Sequence, residues 1–294
     1  MRRRTVHSAG AAAPTMPAPS TVLGAGYDWD RSDAYEADEL LAIVDELARD
    51  NFYGERHPVG QRFLGGDLTP DEMRFLATQE YAYYKETTWW NAGKLLNSTE
   101  LEEQRRLHGA LLDELGTDLM ETGGAAPHAE MFLRYCEGLG LSRTEVTNAP
   151  LVPSVVLAVT ELRRIASHRP VFEMLVASNL VIEKQRPRYY SALLRTFAEH
   201  YSWVPRDALL FYEVHAEHDV DHESRGRQIV RTYLGHKWQQ DLAMSAALRS
   251  VGLRLVMYDG IQGAMQGDSV FVHRWPCLPD DPWPRPTTAA ATKA

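Results

Sequence analysis

The stretch Phe211–Gly226, FYEVHAEHDVDHESRG, limits the fold of this 294-residue chain more than any other. Within it His215, Asp219 and His222 follow the spacing H-x3-D-x2-H. On an α-helix, offsets of four and seven residues return to nearly one azimuth, inside a stripe of roughly 60°. Two imidazoles and a carboxylate then face a common space. That donor mixture suits iron, and a packed core does not accept it unpaired. The apolar run ALLFYEV points to burial of this helix, and a buried stripe of this kind calls for a cation. The alternative is a solvated face, since HAEHDVDHE is also simply very polar.

Such a helix needs a core around it. A hydrophobic content of 44% over this length supplies one large domain or two small ones. The net charge of −9 argues against a nucleic-acid or anionic-membrane surface. No run approaches the ~18 apolar residues of a membrane span. Cys136 and Cys277 lie far apart with no C-x-x-C, which fits a reducing cytoplasm rather than a disulfide framework. Residues 1–32 are expected to form a disordered leader. Their arginines and small residues are interrupted by proline and lack the apolar centre of a secretion signal. Residues 263–294, ending DDPWPRPTTAAATKA, are expected to be an extension and tail.

Between these ends, residues 33–262 are expected to form one all-α domain. Apolar residues recur at helical spacing from Asp33 to Asp50. A second helix opens at Thr69–Pro70 with acids in its first turn and runs on through YAYYKETTWWNAGKLL. Others cover Thr99 to Leu115, His128 to Gly138, VPSVVLAVTELRRIASH, and PVFEMLVASNLVIEKQRPRYYSALLRTFAEHY as one long element. The His215 helix starts near Pro205, and a last helix runs from His236 to Tyr258. GDSVFVHRW reads as a short strand or extended cover. No long segment alternates with period two, so a helical bundle with polar ligands at its centre is the expected architecture.

Candidates for the rest of a site stand out on other helices. Asp113 and Glu114 end a helix whose Leu107, Leu111 and Leu115 mark a buried face, and acid is the unfavourable sign at that end of the dipole. His128 opens the next helix, where an N-cap or surface role is the alternative. Glu183 interrupts the apolar run MLVASNLVIE, where a carboxylate without compensation is costly. Pro187, four residues on, should kink this helix and free a carbonyl near it. Surface exposure is the alternative for Glu183, because KQR follows.

Taken in order, these motifs carry a resemblance: Q-x-Y-x-Y-Y, D-E-x-G, a loop, H-x-E-x-F, G-L-G-L, a mid-helix Glu, and F-Y-x-x-H-x3-D-x2-H. From about Leu40 to Tyr258 the chain resembles the heme-oxygenase-like diiron oxidases. Their seven-helix fold is shared with pyrroloquinoline-quinone synthase-like and thiaminase-like proteins. The resemblance implies a pair of iron ions, Fe(II) cycling with Fe(III), and O2 as co-substrate. It assigns Glu114, His128 and one helix histidine to the first iron, and Glu183, Asp219 and the other histidine to the second. It does not divide His215 and His222 between them. The loop before His128 is longer than the family pattern, so Glu121 competes with Glu114; the D-E-x-G setting favours Glu114. Amine-oxygenating members resemble this chain further through an extra carboxylate on the first core helix. Glu86 and Glu80 are its candidates, and Glu86 shares a face with Gln79, Tyr83 and Trp90 in a continuous helix.

The activity so implied is O2-dependent N-oxygenation of a small amine or amino-acid-derived substrate, with an electron donor as partner and a homodimer as one candidate assembly. The same cofactor used for C–H abstraction, in desaturation, C–C fragmentation or oxidative decarboxylation, is the alternative. Two further classes are a cofactor-free relative and a non-catalytic metal binder. Arg163, Arg164, Lys184, Arg186 and Arg188 are candidate carboxylate anchors, although each also reads as a solvated helix charge. The Tyr81, Tyr83, Tyr84, Trp89 and Trp90 cluster reads as core packing or pocket lining. Cys136 reads as structural, without evident activation.

Overall fold

The computed structural model describes residues 24, 26–116, 126–268 and 270–271. Of residues 218–222, only the helical backbone is described. The chain begins its helices where the capping signals lie. Helix α1 (Ala37–Asp50) buries Leu40, Leu41, Val44, Leu47 and Ala48, a single stripe at helical spacing. Short helices α2 (Tyr53–Arg56) and α3 (Pro58–Gly65) follow, and α3 stops at Gly66 in the left-handed region, φ 78°. Helix α4 (Pro70–Tyr84) starts in a capping box: the Thr69 hydroxyl accepts from the Glu72 amide, and the Glu72 carboxylate accepts from the Thr69 amide. Arg62 holds that carboxylate with two hydrogen bonds of 2.8 Å.

The helix expected to run on from Thr69 divides here. Helix α4 ends at Tyr84, and α5 (Thr87–Asn97) begins after a turn at Lys85 and Glu86. The Thr87 hydroxyl oxygen lies 2.8 Å from the Tyr84 carbonyl at the end of α4, across this turn. Then come α6 (Leu101–Glu114), α7 (His128–Gly138), α8 (Arg143–Thr147) and α9 (Pro153–His168). The long element expected from Pro170 to Tyr201 is also broken. Helix α10 (Val171–Leu175) passes into a π-helical turn at Val176–Leu180 and a 3-10 turn at Glu183–Gln185. Helix α11 (Arg186–His200) then resumes with Pro187 in its first turn. Proline thus opens a helix instead of kinking one, and the irregular backbone lies before Glu183.

After a 3-10 turn at Arg206–Leu209, α12 (Leu210–Thr232) carries the His215 motif. The last helix, α13 (Lys237–Met265), extends past the expected end at Tyr258. No strand occurs among the described residues. The GDSVFVHRW stretch falls largely outside them, as do most of the leader and tail. The described end of the leader packs down: Tyr27 is buried, and its hydroxyl donates to Asp241 of α13 at 2.7 Å.

Helix α12 lies against α11, α7 and the π turn, while α13 packs on α9, α1 and the π turn. Tyr84, Phe132, Tyr190 and Phe211 fill the centre with edge-to-face and tilted ring contacts, and the Tyr84 and Tyr190 hydroxyls meet at 2.8 Å. Tyr83, Tyr84 and Trp90 are core residues, whereas Trp89 is exposed. Each large apolar side chain buried here is worth about 1.5–3 kcal/mol against exposure.

Candidate metal centre

Three helix segments bring one donor each to a point in this core. Glu114 is the last residue of α6, His128 the first of α7, and His215 lies in the second turn of α12. All three are buried, and one ligand atom from each lies within 4.8 Å of the others. His128 Nδ1 stands 3.3 Å from Glu114 Oε2, and the two imidazole rings are 4.5 Å apart. Among the described residues no other group of three His, Cys, Asp or Glu gathers this closely.

The neighbours set the protonation of these donors. His215 Nδ1 lies 2.8 Å from the Phe211 carbonyl, which can only accept, so Nδ1 carries the proton and Nε2 offers its lone pair. Burial, then His128 and Arg186, push the His215 pKa well below its ordinary value. The ring is therefore neutral, as metal binding requires. Burial alone would raise the Glu114 pKa, but the charges and hydrogen bonds around it prevail. His128, His215 and Thr87 hold it well below the carboxylate range. The Thr87 hydroxyl donates to Glu114 Oε2 at 2.7 Å. A buried carboxylate at a helix C-terminus, beside two imidazoles, has the composition of a site for a divalent transition ion.

Glu183 stands outside this trio. It is buried at the start of its 3-10 turn, accepts from Asn179 Nδ2 at 2.8 Å, and lies 3.9 Å from Lys94 Nζ. The Lys94 ammonium donates to Asn91 and Asn179 at 2.9 and 2.8 Å, and burial lowers its pKa. Gly226 makes this packing possible: a Cβ there would lie 2.8 Å from that of Asn179. Sequence reasoning missed Lys94, and nothing in WWNAGKLLN marks it. Asp219 and His222 sit one and two turns beyond His215, with side chains outside the described residues, and Glu121 lies outside them altogether.

Glu86 is buried but not part of the trio. It occupies the N-cap of α5, and its carboxylate is bound by Arg163 of α9. The continuous helix on which it would share a face with Gln79 and Tyr83 is interrupted one residue before it. The alternative, Glu80, is also buried and accepts from the Tyr258 hydroxyl. Among the candidate anchors, Arg163 pairs with Glu86, Arg164 with Glu161, Lys184 with Asp45 and Arg188 with Glu55. Arg186 is buried, its guanidinium 5.4 Å from the Tyr84 ring centroid. Burial pushes the Cys136 thiol up to about 12, so this cysteine is inert at neutral pH.

The fold and this donor set define a class, an all-helical protein of heme-oxygenase-like architecture with a buried Glu/His/His group in its core that could hold a metal. Among solved structures, a TenA homologue from Pseudomonas syringae pv. tomato superposes with a TM-score of 0.66 at 14% identity, covering 80% of this chain and 97% of that one. A domain of heme-oxygenase-like fold from Shewanella denitrificans superposes at 0.62 and 15% identity, covering 79% and 94%. Residues 74–255 match the iron-containing redox enzymes, and the chain belongs to that family. Its relatives include a pyrroloquinoline-quinone synthase of Ruegeria pomeroyi, 21% identical over 72% of this chain and 86% of that protein. A 4-aminobenzoate synthase of Chlamydia pneumoniae is 21% identical over 62% of this chain and 77% of its own length.

Proposed function

We propose that this protein is a non-heme diiron oxidase or oxygenase that uses O2 to oxidise a small amine or amino-acid-derived substrate, with oxygen transfer to nitrogen as the reaction. The observation that carries this reading is the buried Glu114–His128–His215 group. These three would hold one iron, and Glu183, Asp219 and His222 the second. A pair of ferrous ions so held supplies the electrons that activate O2, replenished by an external donor. The chain's own residues do the rest. Thr87 and the Phe211 carbonyl orient Glu114 and His215, and the aromatic shell excludes water. Asn179 and Lys94 fix the Glu183 carboxylate.

A second reading, C–H abstraction by the same cofactor, is favoured by one contact. Glu86, the extra carboxylate proposed for N-oxygenation, is occupied by Arg163. The test is iron analysis with O2 consumption and product analysis on amine-bearing acids. The native chain should bind a pair of irons and consume O2 with substrate, and His215→Ala should lose both properties. Glu183→Ala should lose one iron; a variant that keeps both overturns the assignment of Glu183. If Glu86→Gln keeps full turnover, Glu86 is a bystander and C–H abstraction becomes the reading.

A further inference from the structure

Two cations buried in this core differ in their surroundings. Arg254 of α13 is packed between the rings of Tyr53 and Tyr83. Lys94 of α5, 2% exposed, instead meets a candidate metal ligand. Its ammonium donates to Asn91 Oδ1 at 2.9 Å and Asn179 Oδ1 at 2.8 Å, and stands 3.9 Å from Glu183 Oε1. Asn179 completes the arrangement. Its Nδ2 donates to Glu183 Oε2 at 2.8 Å, so one amide grips the cation and the acid together. Burial opposes the Lys94 charge, and the carboxylates of Glu183 and then Glu114 sustain it. The ammonium thus feels both acids assigned above to different irons.

A buried carboxylate needs a counter-charge, and Lys94 supplies one to Glu183 without any metal. Glu114 is met differently, by the Thr87 hydroxyl and the His128 ring. A divalent ion at Glu183 would stand close to the ammonium, and like charges so near one another in a buried site repel strongly. The ion and the ammonium therefore exclude each other at this carboxylate. We propose that Lys94 is a resident counter-cation that makes the candidate sites unequal. A first ion binds at Glu114, His128 and His215 with Lys94 in place; a second binds at Glu183 only by displacing the ammonium from it. Lys94 is then a positioning residue that sets metal occupancy, one ion or two. The second ion rests on the oxidase reading above, whereas the contact between ammonium and carboxylate does not.

Titration of the metal-free, full-length chain with Co(II), followed by visible absorption and by metal analysis of the saturated protein, reads occupancy without O2 or turnover. The native chain should take up one ion tightly and a second at least about tenfold more weakly, or not at all. Lys94→Met keeps an unbranched side chain and removes the charge. It should tighten the second ion by about tenfold or more, or admit it where the native chain does not, and shift the first ion by less. Lys94→Gln, which keeps a hydrogen-bond donor, should act in the same direction and serves if the methionine variant does not fold. Equal affinities for two ions in the native chain overturn the proposal. So does a neutral variant whose second ion binds no tighter, or whose two ions shift equally, as a general change of packing would produce. Unequal sites that the Lys94 variants bring together, in a chain that consumes no O2, retain the proposal and remove only the oxidase reading. Equal sites in a chain that oxidises amines do the reverse. At most one ion in native and variant chains alike overturns the proposal together with the second iron.

Discussion

At the scale of single residues, the candidate centre depends on groups that hold the ligands as much as on the ligands. Thr87 sits at the first position of α5, donates its one hydroxyl proton to Glu114 Oε2 and keeps its oxygen 2.8 Å from the Tyr84 carbonyl. That hydroxyl ties the turn between α4 and α5 to the carboxylate that closes α6. Thr87→Val keeps the shape and removes the hydrogen bond, leaving Glu114 free to rotate. Metal affinity should fall by about 10–100-fold, the usual cost of losing a supporting contact, while unfolding by heat changes little. Titration with Co(II), followed by its visible absorption, reads this directly; unchanged affinity would show that Glu114 is not a ligand oriented by Thr87. His215 was legible at this scale because its spacing with Asp219 and His222 is a local property of one helix. Lys94 and Arg254 were not, since a basic residue in a helix looks alike whether its tip meets water or a core.

At the scale of elements, the π turn at Val176–Leu180 shapes the Glu183 side of the site. A widened turn releases backbone carbonyls from the regular ladder, and in a buried segment each needs another donor. Ser250 of α13 supplies one, its hydroxyl reaching the Ala177 carbonyl at 2.7 Å with both residues buried. The Ser178 hydroxyl lies 2.9 Å from the Met174 carbonyl and 2.8 Å from Asn179 Oδ1, alternative acceptors for its one proton, and Asn179 in turn holds Glu183. Ser250→Ala should therefore destabilise the fold by roughly 1–3 kcal/mol, the cost of leaving a buried acceptor unsatisfied. Urea denaturation measures it, and a loss below a few tenths would mean that the carbonyl has another donor. The helix breaks at Lys85–Glu86 and at the π turn escaped the sequence reading because hydrophobic periodicity continues across both. Backbone geometry there answers to Arg163, Ser250 and Gly226 on other helices.

For the whole molecule, the buried donors make stability depend on pH in a stated direction. His215 has a folded pKa well below its ordinary value of 6.5, so below 6.5 the unfolded chain takes up a proton that the native chain refuses. Its contribution is complete above 6.5 and is lost as pH falls. Glu114, with its pKa also depressed from 4.5, adds a loss of the same sign at lower pH. In metal-free protein the Tm should drop from pH 7 to pH 5, and His215→Phe should flatten that drop. Scanning calorimetry at intermediate pH values decides it; parallel curves for the two proteins would place the titration elsewhere.

The amino-acid sequence by itself determined what is encoded locally. Apolar spacing and caps such as Thr69 with Glu72 specify an all-helical chain, and the H-x3-D-x2-H spacing marks α12 as the candidate ligand helix. Acid at the end of α6 and a histidine at the start of α7 are likewise readable in order along the chain. Only the tertiary structure showed that, among the described residues, His215 gathers with Glu114 and His128. It also gave Glu183 to Asn179 and Lys94, paired Glu86 with Arg163, and set the buried Arg254 of α13 between the rings of Tyr53 and Tyr83. The reason is physical. Periodicity says which face of a helix is buried, but a buried charge is defined by what the neighbouring helices place against it, and those partners lie tens to hundreds of residues away.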